Sequence, residues 1–318
     1  AGRAGLQGAQ HAGRAPVAAA LAPLVGVAKG GLLQKCSATS SAYAPLSKDV
    51  PFENVEKIRA EGFRSVGITK GPARFYPETG LGGQLWGYVT TNDENQRVGY
   101  YGIEGYYQSI LAGEYGSLVT AMGVAGRCLS VGALSLVAAQ NGSDIVLTID
   151  RTIQRVACEK AQESMERFQA SGVSIVVMDP NTGAILAMCS APDYDPARVR
   201  EISSLAVLNN PATFYQYEPG SIFKAMTVAG GIETGKITPQ STYIDTGEEK
   251  IDEFRIRNSD LKAHGLQTMT QVLSESLNTG TIHIQRLMGK DAFRDMVVRF
   301  GFGQKTGIEL TSEAKGDV

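Results

Sequence analysis

The sequence predicts an α+β fold in which helices pack against an antiparallel sheet, with a smaller mixed domain before it. Apolar residues recur at helical spacing over residues 153–168, which predicts a helix with one buried face. Two apolar strands, at 173–178 and 184–189, flank Asp179-Pro180-Asn181-Thr182-Gly183, and this link is typical of a hairpin turn. A length of 318 residues suggests about two domains.

The first part of the chain has less regular patterns. Residues 1–48 are rich in Ala and Gly and stay unassigned, either a divergent linker or a segment not native to the protein. Residues 49–142 combine many glycines with short apolar runs, which predicts a mixed α/β domain with short helices at 54–62 and 103–111. The second domain is then predicted over 143–318.

Further elements are predicted along this second domain. Residues 144–149 alternate as a strand does, and Asp150 is suited to cap the helix that follows. A strongly apolar helix follows Gly220, and we expect it to pack against the sheet that the hairpin begins. Three more helical stretches are expected at 268–277, 280–287 and 291–300.

Composition excludes several classes of function. The 30 basic and 32 acidic residues give a net charge of −2, so no electrostatic footprint for nucleic acid is present. The four cysteines and three histidines lack the paired spacing of metal ligands, so we expect no metal and no cofactor. We also expect Cys158, within a helix, and Cys189, near a strand end, to be free thiols rather than a disulfide.

The most informative motif is Ser221-Ile222-Phe223-Lys224, directly after Glu218-Pro219-Gly220. A serine hydroxyl is a poor nucleophile at neutral pH and needs a base within hydrogen-bond reach. Residues three apart on a helix share a face, so Lys224 can approach the Ser221 hydroxyl. The pattern therefore predicts a serine acyl-enzyme site, with the apolar helix behind it lowering the pKa of the lysine by burial.

Ser-x-x-Lys alone is a weak signal, because it occurs twice more, at Ser259/Lys262 and Ser312/Lys315. Neither of these pairs is followed by an apolar helix. An ordinary surface serine and lysine is the better interpretation at both places.

A second element, Ser276-Leu277-Asn278, is the only Ser-x-Asn in the chain. Its hydroxyl can relay a proton, and its amide can hold both the lysine and the backbone of a substrate. Taken alone, the segment also suits a helix C-terminus, where Ser, Asn and Gly are favoured.

Further segments accompany these motifs in a fixed order. They are Arg74-Phe75-Tyr76-Pro77, Gly102-Ile103-Glu104, Leu111-Ala112-Gly113, Leu147-Thr148-Ile149-Asp150, the run 177–188 and Pro192-Asp193-Tyr194-Asp195-Pro196. Together with the two catalytic motifs, over roughly residues 50–314, the chain resembles the class B penicillin-binding proteins, which are peptidoglycan D,D-transpeptidases of the division or elongation type.

This resemblance implies a penicillin-binding-protein transpeptidase domain, related to serine β-lactamases, over 143–318 and a dimerisation-like pedestal over 49–142. It implies acyl transfer from stem peptides that end in D-Ala-D-Ala, and trapping of the enzyme by β-lactam antibiotics. Ser221 would be the nucleophile, Lys224 its base, Ser276 a proton relay to the leaving D-alanine, and Asn278 the residue that orients Lys224 and the donor peptide.

Lys305-Thr306-Gly307 is similar to the family's third motif, but a loop after a helix is the better interpretation. We expect the true third motif beyond residue 318, on a strand that also donates one of the two oxyanion-hole N–H groups. Loss of such a donor costs about 10² to 10³ in rate. From these 318 residues alone we therefore expect weak turnover or none.

The resemblance also implies location and partners. Family members carry an N-terminal membrane anchor and work outside the cytoplasmic membrane. The best candidate for a span here, residues 16–27, has 12 residues and contains Pro23, whereas a membrane helix needs about 20. Expected partners are a membrane glycan polymerase and cell-division or elongation proteins, with no nucleic acid.

Two other functions remain open. A D,D-carboxypeptidase or β-lactamase would share the acyl-enzyme but release it by hydrolysis, and the pedestal argues against a β-lactamase. A non-catalytic scaffold would fit the missing third motif, whereas intact Ser221, Lys224, Ser276 and Asn278 argue against it.

Overall fold

The computed structural model describes residues 2–7, 14–37, 43–63, 66–70, 74–78, 80–94, 96–119 and 135–318. The chain divides into two compact units, Ala1–Pro77 and Glu78–Val318. The boundaries predicted at 48/49 and 142/143 stay predictions. Cys128 lies outside the described residues.

Among its described residues, the first unit has a small antiparallel sheet and three helices. Its strands β1 (Gly2–Gln7), β2 (Tyr43–Val50) and β3 (Val66–Lys70) lie in the order β2-β1-β3. Its helices are α1 (Arg14–Val25), α2 (Lys29–Ser37) and α3 (Phe52–Ala60), and α3 confirms the helix predicted near residue 54. Leu21, Leu32, Leu46, Val50 and Ile58 are buried together and form its core. In the part of the chain that the structure describes, no helix has the length and apolarity needed to cross a membrane.

The second unit begins with short elements. Hairpin β4 (Tyr88–Thr91) and β5 (Arg97–Tyr100) is followed by a two-stranded ladder of β6 (Ser117–Val119) and β7 (Ser135–Val137). Short helices occur at α4 (Gly83–Trp86), α5 (Gly102–Tyr106) and α6 (Gln108–Leu111). The single helix predicted at 103–111 is thus two helices, because Tyr107 leaves helical geometry between them.

Helix α7 (Arg151–Phe168) begins as predicted, with the Asp150 carboxylate accepting hydrogen bonds from the N–H groups of Thr152 and Ile153. The predicted strand at 144–149 is wrong: this segment has no ladder partner. Two single hydrogen bonds hold it beside the strand that begins at Ile185. The Thr148 hydroxyl donates to the Ile185 carbonyl, and the Asp150 N–H donates to the Leu186 carbonyl.

The buried face of α7 differs from the predicted apolar stripe. Ala157 and Ala161 are buried as expected, but Val156 and Phe168 are exposed. Gln154 is buried instead, because its amide exchanges two hydrogen bonds with the backbone of Met188 at 2.8 and 2.9 Å. A polar side chain can be buried when its donors and acceptors are satisfied in this way.

Hairpin β8 (Val173–Met178) and β9 (Ile185–Ala191) packs against α7. The turn between the strands is the one predicted. The Asp179 carboxylate accepts hydrogen bonds from the Asn181 N–H and the Thr182 hydroxyl, and Gly183 lies in the left-handed region at φ +77. The small residues Ala157 and Ala187 meet where α7 crosses β9.

The close approach of α7 and β9 overturns one prediction. Cys158 on α7 and Cys189 on β9 form a disulfide and are not free thiols. Each cysteine was assessed within its own element, whereas the pairing depends on how the helix packs on the hairpin. The two residues are 31 positions apart, so the bond closes a loop that contains the end of α7 and all of β8.

The remaining elements form a mainly helical region around the predicted site. Its helices are α8 (Pro211–Phe214), α9 (Lys224–Glu233), α10 (Met269–Ser274), α11 (Asn278–Met288) and α12 (Lys290–Arg299). Two small antiparallel pairs lie between them, β10 (Thr242–Asp245) with β13 (Gly265–Thr268) and β11 (Glu248–Ile251) with β12 (Phe254–Arg257). The helices expected at 268–277, 280–287 and 291–300 are thus confirmed within a few residues.

Helix α9 packs differently from the expectation. We expected it to lie against the sheet that the β8–β9 hairpin begins, but its buried residue Val228 belongs to a core formed with α10, α11 and α12. That core includes Val272, Leu277, Ile284 and Met296. Buried Gly230 and Gly231 let Met296 and Ile284 approach the α9 backbone closely. The apolar character of α9 was correctly recognised, but its partner was not.

The disulfide gives a stability prediction. Closing a loop of this length removes conformational freedom from the unfolded chain and stabilises the fold by about 3 kcal/mol. Replacement of both residues, Cys158→Ala with Cys189→Ala, should lower Tm by about 6–12 °C, measured by circular dichroism. Reductant should lower the Tm of the original chain similarly and leave the double variant unchanged. An original chain whose Tm is insensitive to reductant under unfolding conditions would contradict the bond.

Candidate active site

Ser221 lies at the entrance of helix α9. A single 3₁₀ turn, Gly220–Phe223, leads directly into the helix, and Gly220 takes a left-handed conformation at φ +61. The N–H of Lys224 donates to the carbonyl of Ser221, so the two residues are one turn apart on the same face. Ser221 is exposed, whereas Lys224 is 8% exposed. An accessible hydroxyl therefore stands one turn before a buried amine.

The Lys224 amine is held by one residue from a distant part of the chain. Its Nζ donates to the carbonyl oxygen of Ser276 at 2.6 Å and to the Ser276 Oγ at 3.0 Å. Burial lowers the pKa of Lys224, because an ammonium group loses hydration energy when it leaves water. The structure thus brings together two of the four predicted site residues, and burial shifts the pKa of the lysine in the direction that a base requires.

Ser276 occupies the end of helix α10 in a conformation that L-amino acids rarely adopt. Its φ is +55. The N–H of Ser276 donates to the carbonyl of Leu273, and the N–H of Leu277 donates to the carbonyl of Val272. These two bonds form a Schellman motif, and the contact of Leu277 with Val272 in the core completes it. The alternative interpretation of the segment, a helix C-terminus, is therefore also correct: one residue ends the helix and binds the lysine.

Ser276 stands where glycine is the usual residue. A left-handed conformation costs an L-residue roughly 1–2 kcal/mol, which glycine avoids. The turn points the Ser276 carbonyl and hydroxyl at the same Lys224 nitrogen. Glycine would keep the carbonyl contact and lose the hydroxyl contact.

Asn278 is the first residue of helix α11, immediately beyond that turn. Its side-chain Nδ2 donates to the carbonyl of Arg257 at 2.6 Å, and no hydrogen bond joins it to Lys224. Within the described residues its Oδ1 accepts no hydrogen bond, so that oxygen remains open to a ligand. Asn278 therefore lies beside the Lys224–Ser276 pair but is held from a different direction.

A buried polar group behind Asn278 was not predicted from the sequence. It consists of Asp245, Asn258 and Thr279, each at most 2% exposed. The Asp245 carboxylate accepts from Thr279 Oγ1 at 2.6 Å and from Asn258 Nδ2 at 2.8 Å. These residues are far apart in sequence and lie in polar or turn-like surroundings, so no local pattern identifies them.

The Lys305 motif takes the structure that the sequence predicts. Lys305-Thr306-Gly307 follows helix α12 as a loop, not a strand, as predicted. The Glu313 carboxylate accepts from the N–H and hydroxyl of Thr306 and from the N–H of Gly307. Among the described residues, no group of three or more His, Cys, Asp and Glu is placed to hold a metal ion.

Two family models match the chain. The penicillin-binding protein dimerisation domain matches residues 6–147, and the penicillin binding protein transpeptidase domain matches residues 173–318. The first match begins inside the segment that the sequence left unassigned. The second contains all four predicted site residues.

Relatives agree with these matches. Peptidoglycan D,D-transpeptidase MrdA of Escherichia coli is 34% identical over 250 residues, covering 74% of this chain and 37% of the relative. Stage V sporulation protein D of Bacillus subtilis is 29% identical over 280 residues, covering 88% of this chain and 43% of the relative. The chain thus spans about two fifths of the length of these relatives.

Solved structures show the same fold. Penicillin binding protein 2X from Streptococcus thermophilus superposes with a TM-score of 0.78 over 100% of this chain and 51% of that one, at 20% identity. Penicillin binding protein 3 from Mycobacterium tuberculosis gives a TM-score of 0.65 over 77% of this chain and 50% of that one, at 29% identity. The α+β fold predicted from the sequence is confirmed.

The left-handed turn predicts an inverted preference for glycine and alanine. At position 276 neither residue provides the hydroxyl, so Ser276→Gly should be more stable than Ser276→Ala by about 1 kcal/mol. At Ser274, in the last turn of α10, Ser274→Ala should be more stable than Ser274→Gly by up to about 1 kcal/mol. Urea unfolding of the four variants measures both orders. If the alanine variant is the more stable one at both positions, the backbone of Ser276 is not in the left-handed conformation.

Proposed function

The chain belongs to the class B penicillin-binding proteins, and from this membership we propose that it performs serine acyl transfer on peptidoglycan stem peptides ending in D-alanyl-D-alanine. The observation that carries the proposal is the buried Lys224 amine, one helical turn after the exposed Ser221 hydroxyl and anchored by Ser276. Nucleophile, base and a second hydroxyl thus come from two short segments.

In the first step, Ser221 Oγ attacks the carbonyl carbon between the last two D-alanines. Neutral Lys224 accepts the Ser221 proton as the C–O bond forms. A neutral amine has two N–H bonds and one lone pair, and the two contacts to Ser276 use the two N–H bonds. The lone pair is then left for the Ser221 hydroxyl.

The tetrahedral intermediate collapses when the C–N bond to the last D-alanine breaks. Its amine needs a proton, which Lys224 supplies through the Ser276 hydroxyl. The N–H of Ser221, in the first turn leading into α9, is suited to donate to the developing oxyanion. The products are an ester on Ser221 and free D-alanine.

In the second step, an amine from a neighbouring stem peptide attacks the ester and restores Ser221. The Asn278 Oδ1 is suited to accept a hydrogen bond from the backbone of the donor peptide, because its Nδ2 is already held by Arg257. β-Lactams would acylate Ser221 by the first step and lack a leaving group that diffuses away. Stem peptides and β-lactams are therefore the proposed ligands.

We further propose that the site works outside the cytoplasmic membrane, where cross-links form. The Cys158–Cys189 disulfide supports this, because such bonds persist mainly in oxidising compartments. A membrane anchor, a glycan polymerase and division or elongation proteins as partners stay predictions.

Acylation by a fluorescent penicillin tests the proposed function, measured in a chain that continues through the third motif expected beyond residue 318. Peptide mapping by mass spectrometry should find one adduct, on Ser221, and Ser221→Ala should remove it. Lys224→Ala should slow labelling by about 10² to 10⁴, since it removes the base. Ser312→Ala is the matched control, because it changes another Ser-x-x-Lys pair, and it should label at the original rate.

The fate of the adduct separates the alternatives. A stable adduct supports a transpeptidase, and release of hydrolysed penicillin within minutes would indicate a hydrolase. Absence of any adduct in the chain extended through the third motif would indicate a scaffold. An adduct that persists in Ser221→Ala would overturn the assignment of the nucleophile.

A further inference from the structure

Helix α11 begins without a capping side chain of its own. Its first N–H groups, which have no partner within a helix, belong to Asn278 and Thr279. Both point at the Oδ1 of Asn258, at 3.0 and 3.4 Å. Asn258 therefore caps this helix from a segment about 20 residues earlier in the chain.

The orientation of the Asn258 carboxamide is fixed on its other side. Its Nδ2 donates to Asp245 Oδ2 at 2.8 Å and to the Lys262 carbonyl at 3.2 Å. Its backbone N–H donates to the Gly247 carbonyl at 3.1 Å. With 1% of Asn258 exposed, no water competes for these contacts. The amide can turn only if several buried bonds break.

Asp245 closes the arrangement as a buried carboxylate with four donors. Its Oδ1 accepts from the Thr279 hydroxyl and the Gly247 N–H, and its Oδ2 accepts from Asn258 and from the His264 N–H. Burial alone would raise the pKa of Asp245, but these hydrogen bonds lower it below its ordinary value. Asp245, Asn258 and Thr279 together are called the clamp.

The clamp holds one side of the catalytic turn. Only Leu277 separates Ser276, whose two oxygens bind Lys224, from the clamped helix start at Asn278. The Asn278 side chain is also bonded to Arg257, the neighbour of Asn258. A shift of the helix start would therefore move Ser276 and Asn278 together relative to Lys224.

Resting on the proposed function, we propose that Asp245 and Asn258 are positioning residues that set the Ser276 hydroxyl against Lys224 and place Asn278 for the donor peptide. They touch neither the nucleophile nor the proposed reacting atoms. Misplacement of a catalytic group by about 1 Å can cost about 10² in rate, so a clamp of this kind controls acylation at a distance.

The test measures penicillin acylation of folded protein, in the chain extended through the third motif, as a function of penicillin concentration. Asn258→Ala should lower the maximal acylation rate about 10- to 100-fold, with a change of less than about threefold in the half-saturating concentration. Asn258→Asp should do the same, because it places a second carboxylate against Asp245.

Asn210→Ala is the matched control. Asn210 is also a buried asparagine that caps a helix, accepting from the Ala212 N–H at 3.1 Å, but it makes no bond to the clamp. Its replacement should lower stability and leave the acylation rate of the folded fraction unchanged. Equal loss of rate in Asn210→Ala and Asn258→Ala would reduce the clamp to a stability role and overturn the proposal.

A second readout separates failure of this proposal from failure of the proposed function. The NMR signal of the Lys224 side-chain nitrogen and the exchange of the Asn278 and Thr279 amides report on the turn without any reaction. If the extended chain is not acylated with every residue unchanged, the proposed function fails. The clamp then stands only if Asn258→Ala shifts the Lys224 signal and speeds exchange at both amides while Asn210→Ala does not. Unchanged signals would overturn it.

Discussion

The hydrogen bonds from the Lys224 amine to the carbonyl and hydroxyl of Ser276 are the interaction on which the rest of the site depends. They join the helix that begins beside Ser221 to a turn between two other helices. A buried ammonium group without such partners would be strongly unfavourable. The apolar core below, which includes Val228, Val272 and Leu277, fixes both sides of the contact and keeps water away from it.

Ser276 shows where stability is given up for this contact. The Schellman turn would be more favourable with glycine, and the left-handed backbone of a serine is a local cost. Compensation comes from around the turn: Leu277 is buried in the core and Asn258 caps the next helix. Such a conformation persists when its surroundings over-determine it, and it recurs at functional sites.

Much of the local structure was predictable because it depends on neighbouring residues. The hairpin turn at Asp179 and Gly183, the cap at Asp150 and the apolar helix after Ser221 follow from side-chain chemistry within a few positions. Ser221, Lys224, Ser276 and Asn278 were proposed as site residues from their motifs and from the family resemblance. The exposed Val156 and Phe168 show the limit of a periodic pattern. The pattern predicts an apolar face on α7, but it does not say which residues of that face another element covers.

Contacts between distant segments were not predictable. The Cys158–Cys189 bond requires that α7 cross β9 at that point, and the clamp joins Asp245, Asn258 and Thr279 over 13 to 34 positions. Residues 144–149 have the alternation of a strand and lie beside β9, but they form only single bonds to it and no ladder. In each case the deciding factor is the tertiary arrangement, which overrides local preference.

The most direct measurement of the central claim is an NMR titration of the Lys224 side-chain nitrogen in the folded chain, assigned by comparison with Lys224→Arg. If the buried amine is held by Ser276 as described, its pKa lies below 10.5, the ordinary value for a lysine, and its signal moves in Ser276→Ala. A pKa at or above 10.5, together with a Lys224 signal that does not move in Ser276→Ala, would show a charged, solvated lysine. The account of the site would then be wrong.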